Sequence, residues 1–132
     1  MYYKTKPLYK HKIYKRGEIY LVDFGPGDGS VQGGVRPAVN YQNNTANLYS
    51  TVITVVPITS QIKKLCLPCH VYIGKEGGLY KESMAMAEQM IPISKKRILG
   101  YIGRLSEKTM ERIDLAAEIH HGRYIPHELE AP

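Results

Sequence analysis

Apolar and polar positions alternate with the two-residue period of a strand over much of the first hundred residues. Gly17 to Phe24 (GEIYLVDF) is the clearest case. Ile19, Leu21 and Asp23 alternate there with Tyr20, Val22 and Phe24. Both sets are largely apolar, so the pattern predicts a central strand. Arg36 to Gln42 reads as the next strand, with Pro37 near its start, where a missing N–H is tolerated. Thr51 to Ile58 is a β-branched run and the best candidate for a buried strand. Leu67 to Ile73, Ser83 to Ile93 (one or two strands, divided near Gln89) and Ile98 to Leu105 complete the series. The period changes to that of a helix only after Ser106, a good cap, with Glu107 in the first turn. Met110, Ile113 and Ala117 then form one apolar face that fades near His120. The pattern predicts a mainly β fold: a small antiparallel barrel or sheet with a C-terminal helix.

The breaks in the pattern set the organisation. Five glycines fall between Gly25 and Gly34, so Gly25 to Val35 is a long loop between two strands, of the kind that often carries function in small domains. Asn43 to Asn47 and Gly77-Gly78 read as turns. Residues 1–15 mix Tyr and Lys without a packing period, and Pro7 interrupts any helix. They form an arm, expected to be flexible or loosely docked. Residues 16–121 form one domain, and 122–132 a tail without period.

Composition adds bounds. A chain of 132 residues with 43% apolar composition fits one domain, which buries roughly two-thirds of its unfolded surface. The net charge of +6 is unevenly placed. Lys4, Lys6, Lys10, Lys12, Lys15 and Arg16 supply six positive charges to a stretch without an acid, and the rest of the chain is formally neutral. The basic character therefore belongs to the arm, where Tyr2, Tyr3, Tyr9 and Tyr14 accompany the lysines. That mixture suits single-stranded nucleic acid by stacking and phosphate contact, or an ordinary solvated tail. No apolar run approaches a membrane span or a secretory signal, and two cysteines cannot build a disulfide framework. A soluble, cytoplasmic protein is expected.

Cys66-Leu67-Pro68-Cys69 forms a C-x-x-C. Zinc needs four ligands, and no second pair exists; a redox C-x-x-C opens a helix, whereas this one enters a β pattern. No metal or cofactor is expected. His70, inside the β region, has no partner histidine nearby in sequence and is read as packing or surface.

Three segments carry chemistry: Arg16-Gly17-Glu18-Ile19-Tyr20, Gln32-Gly33-Gly34-Val35-Arg36-Pro37 and Pro57-Ile58-Thr59-Ser60-Gln61, with Glu88-Gln89 further on. Together they resemble the MazF/PemK family of toxin endoribonucleases over about residues 15–120. The resemblance implies an SH3-like barrel of the CcdB/PemK/MazF type, a homodimer and cleavage of single-stranded mRNA without a metal. It also implies inhibition by a cognate antitoxin that threads an acidic, disordered segment across the RNA groove. Arg36 and Thr59 match the family's catalytic arginine and threonine. Gln32, Gly33, Gly34, Asn43, Ser60, Gln61 and Gln89 are the candidate RNA-binding residues.

The residue types suit the reaction. A 2′-OH can attack the adjacent phosphate if the protein stabilises a phosphorane and helps move two protons. A guanidinium fork fits phosphate oxygens, and a hydroxyl can donate to a non-bridging one. Some relatives carry a proposed catalytic Glu immediately before the motif glutamine; here that position is Val31, which transfers no proton. Asp28 and Glu88 are possible substitutes. Asn40-Tyr41 also departs from the family's aliphatic pattern, and Tyr41 is open to either a core or an RNA-facing role. Two other readings stay on the table: a CcdB-type gyrase poison on the same barrel, and an RNA-binding module with a decayed site. The chain lacks the Trp on which CcdB-type action leans.

Overall fold

A computed structural model describes residues 3–5, 13–29 and 33–131. The elements are β1 (Glu18–Asp23), β2 (Val35–Asn40), α1 (Asn44–Tyr49), β3 (Val52–Thr59), β4 (His70–Gly74), β5 (Ser83–Met86), β6 (Ile91–Ser94), β7 (Ile98–Arg104) and α2 (Glu107–His120). All strand pairs are antiparallel, in the order β4-β5-β3-β2-β1-β7 with β6 also on β3. The mainly β fold with a C-terminal helix is as the pattern predicts.

The strand read as central is flanked on both sides, by β2 and β7. The β-branched run becomes the hub: β3 pairs with β2, with β6 over its first half and with β5 at Ile58 and Thr59. Its residues Ile53, Val55, Val56 and Ile58 are buried, and alternate ones enter two clusters. One cluster, around Ile19, Val39, Val56 and Ile58, lies under α2 through Met110, Ile113 and Ala116. The other gathers Tyr20, Val22, Ala38, Ile53, Val55 and Ile93. Because β1 and β3 are apolar on both faces, each supplies both clusters.

Helix α2 starts where expected. The Ser106 side chain accepts from the Thr109 N–H, and Glu76, from the turn before β5, accepts from both the Ser106 N–H and the Thr109 hydroxyl. That turn abuts β7 without room for a side chain. A Cβ on Gly77 would lie 2.6 Å from the Arg104 carbonyl oxygen, and one on Gly103 would lie 2.0 Å from the Gly77 oxygen.

Two elements differ from the sequence reading. Asn43 to Asn47, expected as a turn, opens the one-and-a-half-turn helix α1. Asn43 caps it, accepting from the Ala46 N–H at 2.8 Å, and buried Asn47 anchors it; tertiary hydrogen bonds, not propensity, sustain so short a helix. Residues 67–69, expected as the start of a strand, form a turn closed by the His70 N–H on the Leu67 carbonyl, and β4 begins at His70. Of the arm, residues 3–5 and 13–15 are described. Tyr3 is buried and packs edge-on against Tyr80, with ring centroids 4.9 Å apart.

Candidate active-site groove

An open groove of about 710 Å³ runs across one end of the sheet. Register builds it. Ala38 of β2 faces Pro57 of β3 in the last pair of that ladder, and Arg36 and Thr59 lie two residues beyond it on their own strands. Thr59 in turn faces Met84 of β5, and Met86 faces His70 of β4. Arg36, Thr59, Met84, Met86 and His70 all line the groove, with the two buried methionines as its soft floor.

Arg36 is half-buried. Its Nε donates to the Gly33 carbonyl at 3.0 Å, which orients the guanidinium plane. Burial lowers its pKa, and the neighbouring Tyr3 opposes that shift. The loop that supplies Gly33 is folded back on itself: Phe24 donates to the Gly34 carbonyl and Gly34 to the Gly25 carbonyl. A Cβ on Gly33 would lie 2.1 Å from the Gly27 nitrogen, so only glycine allows this approach. Thr59 ends β3, and its Oγ1 accepts from the Gln61 N–H at 3.1 Å, turning the chain sharply into the next loop.

Of the candidate residues, Arg36, Thr59, Gly33, Ser60, Gln61 and Gln89 share this groove. Gly34 shapes the loop beside it. Gln32 and Val31 lie outside the described residues. Asn43 is not brought to the groove; its side chain caps α1. Tyr41, open to two roles, lies elsewhere too. Its hydroxyl donates to Asp114 of α2 at 2.6 Å, and the Arg16 guanidinium sits 4.6 Å above its ring.

Four further groups line the groove that the sequence reading did not place there or left out: Tyr3, Lys63, Lys64 and His70. With Arg36, the two lysines give it three cations against the Glu88 carboxylate, a balance suited to a phosphate chain. Of the two suggested carboxylates, Glu88 lines the groove, and Asp28 is exposed in the loop and does not. Glu88 Oε2 lies 2.7 Å from His70 Nε2, while His70 Nδ1 lies 3.1 Å from the Lys64 carbonyl. Cys69 adjoins this pair; burial, and then the Glu88 charge, raise its thiol pKa.

The profile of PemK-like, MazF-like toxins of type II toxin–antitoxin systems matches residues 15–120. The chain belongs to the PemK/MazF family. It is 41% identical over 108 residues to the Endoribonuclease EndoA of Bacillus subtilis (strain 168), an alignment covering 81% of this chain and 93% of that one. The fold agrees with solved MazF structures. MazF from Deinococcus radiodurans superposes with a TM-score of 0.73 at 19% identity, over 83% of this chain and 97% of that one. A mycobacterial endoribonuclease in complex with its cognate antitoxin gives 0.72 at 23%, over 86% and 99%. Within this PemK/MazF chain the motif residues at Gly33-Gly34-Val35-Arg36-Pro37, Pro57 to Gln61 and Glu88-Gln89 converge on one end of the sheet. Gly17 to Tyr20 instead enter the core and its polar network, and Arg16 pairs with Asp114 of α2, so this motif holds the scaffold rather than the groove. Among the described residues no helix is long and apolar enough to cross a membrane.

Proposed function

We propose that this PemK/MazF chain is an endoribonuclease toxin that cuts single-stranded mRNA in the groove between the ends of β2 and β3. The observation that carries the reading is that Arg36 and Thr59, each two residues beyond the last β2–β3 pair, line one groove with two further cations. In the proposed reaction the 2′-oxygen attacks the adjacent phosphorus, the bond to the 5′-oxygen breaks, and the 2′ proton leaves as the 5′-oxygen gains one. The products are a 2′,3′-cyclic phosphate and a 5′-OH. Arg36 stabilises the charge that builds on the phosphorane, and Thr59 donates to a non-bridging oxygen. Gly33 and Gly34 let backbone approach the phosphates. Gln32, Ser60, Gln61 and Gln89 read base edges of the splayed strand. No metal takes part in the reaction.

The same groove, cationic at Arg36, Lys63 and Lys64, suits an acidic antitoxin segment that competes with RNA. The active unit is a homodimer acting in the cytoplasm. The basic arm of residues 1–15 adds salt-dependent contacts to the RNA backbone.

The test is to incubate the protein with a long, mixed-sequence single-stranded RNA in EDTA, beside Arg36→Ala, and to map every cut and its ends. Discrete cuts with cyclic-phosphate ends, lost in the variant, are expected. Binding without cutting by a folded dimer would replace the nuclease with an RNA-binding module.

A further inference from the structure

Cys69, His70 and Glu88 each offer one donor atom, and the three atoms lie within 4.8 Å of one another. They come from two segments already joined by the Ala87 N–H on the Cys69 carbonyl at 2.9 Å. The cluster is well shielded: the His70 side chain is 6% exposed and that of Glu88 25%. Glu88 Oε1 is fully buried and makes no hydrogen bond of regular geometry among the described residues, and the Cys69 thiol beside the carboxylate is only a weak donor to it. A buried carboxylate oxygen without a regular partner is costly and calls for a cation or a donor. Thiolate, imidazole and carboxylate together select a borderline-soft ion over a hard one.

We infer that Cys69 Sγ, a ring nitrogen of His70 and the carboxylate of Glu88 form a binding site for a divalent cation of the Zn²⁺ class, with its fourth position toward the groove. Two donors on one tetrahedral zinc lie roughly 3.3 Å apart, given bonds of about 2.0–2.1 Å. His70 Nε2 and Glu88 Oε2 at 2.7 Å share a proton instead, so the ion would take that proton's place as the pair opens by about half an ångström. Alternatively the carboxylate turns to present Oε1, which no regular hydrogen bond holds among the described residues. The thiol gives up its proton to solvent on coordination. Three protein donors with one open position is the arrangement of an accessible rather than a closed site. An ion held there would clamp the turn before β4 to the turn after β5. It would also add a positive charge to the wall that carries Lys63 and Lys64. The site is independent of the cleavage reaction, and its test reads no activity.

Full-length protein, kept reduced by a phosphine, is titrated with Co²⁺ and followed by absorption. A thiolate-to-cobalt charge-transfer band with tetrahedral d–d intensity is expected, displaced by Zn²⁺. It should persist in Cys66→Ser, vanish in Cys69→Ser, and need about 10-fold or more Co²⁺ in Glu88→Gln. Should Cys69→Ser fail to fold, the Cys66→Ser protein has Cys69 as its one thiol, and Zn²⁺ should slow its alkylation by iodoacetamide at least about 10-fold. No charge-transfer band, a band that depends on Cys66 instead, or alkylation indifferent to Zn²⁺ would overturn the site. Binding through the surface histidines alone gives no sulfur band and counts against it equally.

Discussion

Two polar clusters sit at different places on the same sheet and are built on opposite terms. Beside α1, Glu18, Tyr20, Asn40 and Asn47 are all buried. The Tyr20 hydroxyl donates to Glu18 at 2.8 Å, and the Asn40 amide donates to Tyr20 and to Asn47 at 3.2 and 3.1 Å. Asn40 Oδ1 accepts from the Gln42 N–H, and the Asn47 amide donates to the Gln42 carbonyl. Nearly every donor finds an acceptor, so the network stands as a rigid polar core. In the groove, Arg36 Nε donates to its own loop, Thr59 turns a corner, Gln61 lies open to solvent, and Glu88 Oε1 makes no regular hydrogen bond among the described residues. A satisfied network has nothing to offer a ligand. A cluster with unspent hydrogen-bonding capacity and excess positive charge does, at some expense in stability.

That contrast separates loss of activity from loss of stability. The largest expected effect is Arg36→Ala, which should lower RNA cleavage by about 10²-fold or more while leaving the urea midpoint almost unchanged. Asn40→Ala should do the reverse. It strands Tyr20, Asn47 and the Gln42 N–H, so equilibrium unfolding should show a loss of about 2–4 kcal/mol, with cleavage per folded molecule retained. If Asn40→Ala abolished cleavage at full folding, the two clusters would not be separate. Removing the Ser106 cap of α2 should cost about 1 kcal/mol by the same measurement. Arg16→Ala breaks the pair with Asp114 at 2.6 Å, whose side chains are 31% and 43% exposed. The effect should stay under about 1 kcal/mol and shrink with salt.

Alkali offers a finer probe. Burial, followed by the hydrogen bond to Asp114, pushes the Tyr41 pKa up to about 12. Folding therefore favours the neutral phenol, and its contribution is fully present below the unfolded value of about 10. It is lost as pH rises from there through about 12. Tyr20, raised further in the same direction by burial, adds to the loss. Tyr41→Phe should flatten the stability curve between pH 10 and 12, measured by unfolding at constant ionic strength; an unchanged slope would assign it to Tyr20 and other groups.

Local pattern carried much of the fold. The alternation at Gly17 to Phe24, the β-branched run before Thr59 and the Ser106 cap each encode their element within a few residues, because strand period and capping are short-range physics. The groove was partly legible. The glycine loop, Arg36 and Pro57 to Gln61 were visible as motifs, and register then brought them together.

What sequence could not specify was placement across gaps. Asn40 and Asn47 read as strand end and turn, and only their mutual hydrogen bonds make them the centre of a buried network that sustains α1. Tyr41 had two open roles until Asp114, 73 positions later in the chain, arrived beside it. His70 and Glu88 are 18 residues apart and had no sequence reason to meet; antiparallel pairing of β4 with β5 seats His70 at the turn that carries Glu88. Periodicity determines which face a side chain occupies, and motif chemistry determines what it can do. Which unspent polar groups share a wall depends on register and long-range pairing, and those exist only once the chain has closed on itself.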